Sequence, residues 1–261
     1  MSAPAATWVF DLGNSRLKGA WVESESPSAG AISDAISLDW EAAEFAAALR
    51  AKVASWPAPR RVLVASVAAE SRADRVRALM DVWPRAQVQW LRSPREGCGI
   101  RNRYRFPERL GIDRFLAMAA ARAASGEASV VVVGCGTALT LDAVDAHGAQ
   151  QEGLIAPSPA LMLRSLRVST AIEDTHPDAF SIDQTDDTAK ALQCGCARAG
   201  AALVEWYDAL HRRESGAMQL WLHGGGAGAL RDSLETATAA SARILEDAVL
   251  RGLVLWAATQ S

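Results

Sequence analysis

The chain has little cysteine and no cysteine pattern. Four thiols (Cys98, Cys135, Cys194 and Cys196) stand among 261 residues without a CxxC pair, which excludes a disulfide framework and a thiolate zinc site and reads as reduced cytosolic thiols. The four histidines, at 147, 176, 211 and 223, are isolated and show no metal-ligand spacing. Long apolar runs are missing too. The longest uncharged one, Ala128 to Leu141, stops at Asp142, well short of the roughly 20 residues a spanning helix needs. The N-terminus lacks a basic segment followed by an apolar stretch, so no secretory signal is expected. There is no GxSxG elbow, no GxxxxGK[ST] loop and no GxGxxG in an early βαβ position. Neither sign of charge dominates: 27 basic residues face 30 acidic ones, a net −3, so no global field draws the chain to nucleic acid or to an anionic membrane. A cytoplasmic globular protein is expected.

What is present reads as layers of α and β. Half the residues are hydrophobic and 22% are charged, enough for one large domain or two small ones. Thr7–Leu12 and Leu17–Glu23 read as a hairpin, followed by a Ser/Pro/Gly loop over Ser24–Gly30. Helical spacing over Asp39–Ser55 predicts a helix with Asp39 as its cap. Strands are predicted at Arg61–Val67 and Gln87–Leu91 and a helix at Ser71–Trp83. A further helix is expected from Gly111 to about Ser125. Then come strands at Ser129–Val133 and Ala138–Asp145, a strand and turn at Gly153–Pro159, and a short basic helix. A long helix follows over Asp187–Arg213, a strand at Met218–Leu222, and two closing helices. One feature repeats: Asp11-Leu-Gly-Asn-Ser and Gly134-Cys-Gly-Thr-Ala each separate two strands, 123 residues apart. That echo points to a duplicated α/β domain with a central cleft, divided here as residues 1–118 and 119–261.

Four segments carry candidate chemistry. In Asp11–Lys18 a glycine turn lets backbone N–H groups approach phosphate oxygens, Asn14 and Ser15 add side-chain donors, and Lys18 adds charge. Asp11 at the strand end is placed to hold Mg²⁺ against phosphates; an Asx turn in an ordinary hairpin would explain the same residues. Gly134–Ala138 offers a second such turn, and His223-Gly224-Gly225-Gly226 a third glycine junction, where a flat base or ribose fits against backbone. Between them, Arg92–Arg114 carries seven arginines against three acids, which suits an anionic ligand or a solvated loop; with Tyr104 and Phe106 it would also suit single-stranded nucleic acid, but nothing elsewhere extends the basic patch. It ends in Gly111-Ile112-Asp113-Arg114, whose Asp113 falls in the first turn of a helix. There it is either a plain N-terminal carboxylate or a group that takes a hydroxyl proton.

Together these residues resemble the type III pantothenate kinases of the acetate and sugar kinase/Hsc70/actin superfamily, near the branch that includes the Bvg accessory factor. The family's DxGN[ST]xxK motif matches Asp11–Lys18 in full, and its GxDR motif matches Gly111–Arg114, preceded by a tyrosine at Tyr104. The D-x-G-T-A motif matches in part, with Gly134 where the aspartate is expected. A later threonine in D-T-x-x-A matches Thr188. The resemblance implies a duplicated actin-like (ribonuclease H-like) fold and ATP-dependent phosphorylation of pantothenate, the first step toward coenzyme A. It implies that Asp11, Leu12, Gly13, Asn14, Ser15, Arg16, Leu17, Lys18 and Thr137 bind ATP with Mg²⁺. Tyr104, Gly111, Ile112, Arg114 and Thr188 would hold pantothenate, with Asp113 as general base. A homodimer is implied, with Thr188 reaching the partner's pocket. A monovalent cation, K⁺ or ammonium, is implied as well, although its aspartate is Gly134 here. A non-catalytic nucleotide-binding regulator and a polyphosphate hydrolase of the same superfamily remain open alternatives.

Overall fold

The computed structural model describes residues 6–23, 32–170 and 187–259; the predicted loop 24–30 and His176 lie outside them. By contacts the chain divides into two compact units, residues 1–120 with 248–261, and residues 121–247.

The first unit is built on β1 (Ala6–Leu12), β2 (Arg16–Glu23), β3 (Ser33–Asp39), β4 (Pro59–Ser66) and β5 (Gln87–Trp90), in the order β3-β2-β1-β4-β5. β1 pairs antiparallel with β2 and parallel with β4. β1 is a nearly unbroken buried apolar strand, as a strand covered on both faces must be. From it Trp8 meets Trp56 and Trp83, and Phe10 meets Trp56, with ring centroids 4.7 to 5.9 Å apart. Opposite Phe10 stands Gly19; a Cβ there would fall 2.7 Å from the Phe10 ring, so only glycine leaves the ring its place. α1 (Phe45–Ala54) and α2 (Glu70–Met80) cover the sheet through Phe45, Leu49, Val53, Val76 and Leu79. The helix expected from Asp39 starts later. Asp39 ends β3, and its carboxylate accepts the Glu41 backbone N–H at 3.0 Å, an Asx turn that delays the helix.

A small antiparallel pair, β6 (Glu96–Gly97) with β7 (Ile100–Arg101), leads through a 3₁₀ turn at Pro107–Arg109 into α3 (Ile112–Ala124). The second unit then repeats the first. β8 (Val130–Cys135), β9 (Ala138–Val144), β10 (Gln150–Pro157), β11 (Gln219–His223) and β12 (Arg243–Ile244) take the order β10-β9-β8-β11-β12, with the same antiparallel and parallel neighbours. α4 (Pro159–Ser169) packs on α5 (Thr188–Ser215), and α5 is capped by Asp187, whose carboxylate accepts the Lys190 N–H at 2.8 Å.

Three helices rather than two follow β11: α6 (Ala227–Asp232), α7 (Thr236–Ser241) and α8 (Ala248–Thr259). α8, grouped with the C-terminal half at the sequence level, packs in the first unit against β1, β2 and β4. Its buried face of Val249, Leu250, Leu253, Val254 and Ala257 is covered there.

Candidate active site

In the first unit the segment Asp11–Lys18 forms the β1–β2 hairpin, with Asp11 paired to Lys18 and Leu12 to Leu17 across it. Directly opposed residues on one face of an antiparallel pair have neighbouring side chains, so the carboxylate and the ammonium share one face. The turn is Gly13-Asn14-Ser15, half-buried at Gly13 and exposed at Asn14 and Ser15. Gly13 N–H donates to the Arg16 carbonyl at 3.0 Å, which closes the loop.

All three turn carbonyls are tied back. The Trp40 indole Nε1–H donates to Gly13 O at 2.8 Å, the Trp40 backbone N–H to Ser15 O at 3.3 Å, and the Arg72 guanidinium to Asn14 O. Trp40 is itself fixed: buried, tilted against Phe45 at 4.8 Å, with its own carbonyl accepting from Arg75 at 3.1 Å. Nothing in the sequence around residues 11–18 announces this brace. Trp40 and Arg72 lie 27 and 58 residues from the carbonyls they hold, and Trp40 reads as a plain core residue.

The arginine-rich segment is ordered from within. Asn102, 1% exposed, donates from Nδ2 to the Pro94 and Pro107 carbonyls and accepts the Tyr104 N–H. Arg95 donates to the carbonyls of Asn102, Tyr104 and Arg105. Two of the expected ligand residues meet as a result: Arg114, only 6% exposed, donates to the Tyr104 hydroxyl at 3.1 Å, its guanidinium 5.9 Å from the ring centre. Asp113 sits in the first turn of α3, and its carboxylate accepts the Arg114 N–H at 2.8 Å. A Cβ on Gly111 would lie 2.5 Å from that carboxylate oxygen. Glycine at 111 therefore lets the Asp113 carboxylate fold over the entry to the helix.

Gly111 and Ile112 also line a cavity of about 340 Å³ in the first unit. It lies at the carboxyl ends of β4 and β5, where parallel strands of open α/β sheets present ligands. Ser66, Val67, Arg92, Ser93 and Arg109 share its wall. Ser93 is 4% exposed, and among the described residues its hydroxyl has no hydrogen-bond partner, which is expensive unless a ligand or water completes it.

In the second unit the structure joins the two remaining glycine motifs. Gly136 and Thr137 form the β8–β9 turn, with Gly136 N–H donating to Ala138 O at 2.9 Å and Ser158 Oγ donating to Thr137 O at 3.0 Å. The glycine junction lies directly against it: Gly226 N–H donates to Cys135 O at 2.9 Å. Gly224 has a φ of 92°, and a Cβ on it would lie 2.5 Å from the Cys135 carbonyl oxygen. Burial pushes the Cys135 thiol up to about 11, so it packs rather than reacts. Gly134 has no room for a side chain; a Cβ there would fall 2.6 Å from Thr140 Oγ1 and 2.9 Å from His223 Nε2. The neighbouring Asp142 is buried and accepts from Gln150 at 3.0 Å. Thr188 stands exposed at the first turn of α5. The predicted residues thus fall into three groups. Asp11–Lys18 and Tyr104/Gly111–Arg114 belong to the first unit, and Gly134–Thr137 with Thr188 to the second.

A family model described as type III pantothenate kinase matches residues 8–208. A type III pantothenate kinase of Xanthomonas axonopodis pv. citri is 38% identical over 255 residues, covering 97% of this chain and 98% of its own. One from Xanthomonas campestris pv. campestris (strain B100) is 37% identical over 251 residues, 96% of each chain. Among solved structures, the activator of the 2-hydroxyisocaproyl-CoA dehydratase from Clostridium difficile, with bound ADPNP, aligns with a TM-score of 0.55 at 10% identity. It covers 98% of this chain and 95% of its own. The (R)-2-hydroxyglutaryl-CoA dehydratase component A of Acidaminococcus fermentans aligns at 0.54 and 11% identity, covering 97% and 96%. These two structural likenesses bear on the fold alone, a duplicated actin-like one.

Proposed function

Since the chain belongs to the type III pantothenate kinase family, we propose that it transfers the γ-phosphoryl group of ATP to the 4′-hydroxyl of pantothenate, giving 4′-phosphopantothenate for coenzyme A. The observation that carries the reading is the start of α3. Asp113, Arg114 and Tyr104 are held together there, beside a cavity that Gly111 and Ile112 line. Phosphoryl transfer asks a protein mainly for alignment and charge neutralisation, and the site residues divide along those lines. Arg114 and Tyr104 bind the carboxylate and amide portions of pantothenate. Asp113 accepts the proton of the attacking hydroxyl. The hairpin Asp11–Lys18 and Thr137 hold the ATP phosphates.

Asp11 offers the hard oxygen donor that Mg²⁺ takes alongside substrate phosphates, across from Lys18; a bound Mg²⁺ would supply charge neutralisation on those phosphates. The residues present do not fit a carboxylate-held monovalent cation. Position 134 carries no carboxylate, and Thr140 and His223 fill the space one would need.

We take the protein for a cytoplasmic enzyme; among the described residues no helix is long and apolar enough to cross a membrane. The active unit is a homodimer in which Thr188 closes the other copy's pocket. Supporting this, the second unit exposes Ile155, Leu166, Val168 and Trp206 on β10, α4 and α5, apolar surface of the kind that a second copy covers. Sedimentation at micromolar concentration should give about twice the 27.7 kDa chain mass, and a fully active monomer would refute it.

One incubation tests the activity itself. With ATP and Mg²⁺, ADP should form only when pantothenate is present. ADP formed without it would indicate a hydrolase, and none in either case a nucleotide-binding regulator; both results overturn the proposal.

A further inference from the structure

We propose that Trp40 and Arg72 are positioning residues for ATP, acting through the backbone of the Gly13-Asn14-Ser15 turn. The inference rests on the reading that this hairpin holds the ATP phosphates. A turn that receives an anion must present N–H groups and keep its carbonyl oxygens away, since each carbonyl dipole pointing at a phosphate repels it. Three consecutive carbonyls lie in this turn, and each one is bound by a donor from Trp40 or Arg72. The carbonyls are thereby fixed on the side of the brace. Peptide planarity then fixes the following N–H groups on the other side.

The two residues divide the work differently. Trp40 is neutral and buried, wedged between the turn and Phe45, so its indole N–H acts only through Gly13. Arg72 brings a charge as well. Its guanidinium reaches Asn14 while also pairing with Glu41 at 3.1 Å, and Glu41 is mostly solvent-exposed. An exposed partner of that kind is strongly screened by water, which leaves a net positive field behind the turn. Arg75, which donates to the Trp40 carbonyl and lies 4.1 Å from the Phe45 ring centre, holds the brace from behind.

Three single variants test this: Trp40→Phe, which keeps a ring but removes the indole N–H, Arg72→Gln, which keeps a donor but removes the charge, and Lys18→Ala as a reference. Steady-state kinetics with ATP and with pantothenate, and titration with adenosine and with ADP, are measured for each. A neutral hydrogen bond is typically worth up to about a tenfold change and a charge-assisted one about tenfold or more. We expect KM for ATP to rise about tenfold in Trp40→Phe and Arg72→Gln, with kcat within about twofold and KM for pantothenate unchanged. Affinity for ADP should fall by a similar factor while affinity for adenosine stays, because only phosphates meet the turn. Arg72→Lys should recover much of the loss. A purely structural role would lower the active fraction, hence kcat, and leave KM for ATP alone; that pattern would overturn the proposal. If Lys18→Ala raises KM for ATP and the other two do not, the brace is refuted and the phosphate reading stands. If none of the three changes KM for ATP, the phosphate reading of the hairpin falls with it.

Discussion

Gly252 lies in the middle of α8, a position where helix propensity alone recommends alanine by about 1 kcal/mol. The packing says the opposite. A Cβ on Gly252 would stand 2.3 Å from the Leu116 carbonyl oxygen, 2.6 Å from its Cβ and 2.7 Å from its carbonyl carbon. The obstacle is largely backbone of α3, which cannot rotate aside as a side-chain tip would. One helix must move away from the other by most of an ångström. Overpacking of a dense core costs about 1–3 kcal/mol, and a backbone collision belongs at the upper end. Set against the propensity gain of about 1 kcal/mol, Gly252→Ala should lose about 2 kcal/mol. For a chain of this size each kcal/mol lowers Tm by about 2–4 °C, so the thermal midpoint should drop by about 4–8 °C, and the urea midpoint should fall with it. Leu116 lies three residues after Asp113, one turn along α3, so kcat should decline before KM for ATP does. A variant as stable as the parent or more so would refute the close approach of α8 to α3.

Asp113→Asn keeps the shape of the side chain but cannot take the proton, and kcat should fall by roughly 10²–10⁴-fold with ADP binding preserved; near-parental turnover would remove Asp113 from the role. Replacing K⁺ by a bulky organic cation at constant ionic strength should leave most of the activity, because position 134 offers no carboxylate. Near-complete loss, restored by K⁺, would contradict that. The Cys135 thiol has a folded pKa of about 11 against a usual value of 9.0. Its contribution to stability is therefore complete below pH 9 and is lost as pH rises through 11. Two units correspond to about 2–3 kcal/mol at the limit. Urea midpoints between pH 8 and 11 should fall more steeply for the parent than for Cys135→Ala, and equal slopes would show that the thiol is not buried as described.

Some of this architecture is legible along the chain because the signal is local. The β1–β2 hairpin announces itself through an apolar run stopped by Gly-Asn-Ser, and β8 through four consecutive valines buried to the last. Tyr104 and Arg114 are ten residues apart, and it is the family resemblance that couples the tyrosine to the GxDR motif. β3 is different: SDAISLD at the edge of a sheet is mostly half-exposed or exposed, so its alternation is too weak to distinguish it from loop. The matching strand order of the two sheets is hidden for another reason. Which strand pairs with which is decided by contacts across dozens of residues, and the echo of two glycine turns shows only that something is repeated. α8 reads as a buried helix from its composition, but its partner does not follow from its own residues. The brace behind the Gly13-Asn14-Ser15 turn is the most distant case. Trp40 supplies one indole hydrogen and one backbone hydrogen to a loop far upstream, and tryptophan in an apolar stretch looks like core, which it also is.

The return of α8 to the first unit has a consequence for synthesis. Residues 248–259 leave the ribosome only after all of residues 121–247, a delay of about 6–25 s at ordinary translation rates. Throughout that interval the groove on α3 where Gly252 seats against Leu116 has nothing to fill it. The second unit, continuous in the chain, has every strand of its sheet in hand as soon as it emerges. The earlier-made half is thus the later one to be completed, and it is the half that carries Asp113.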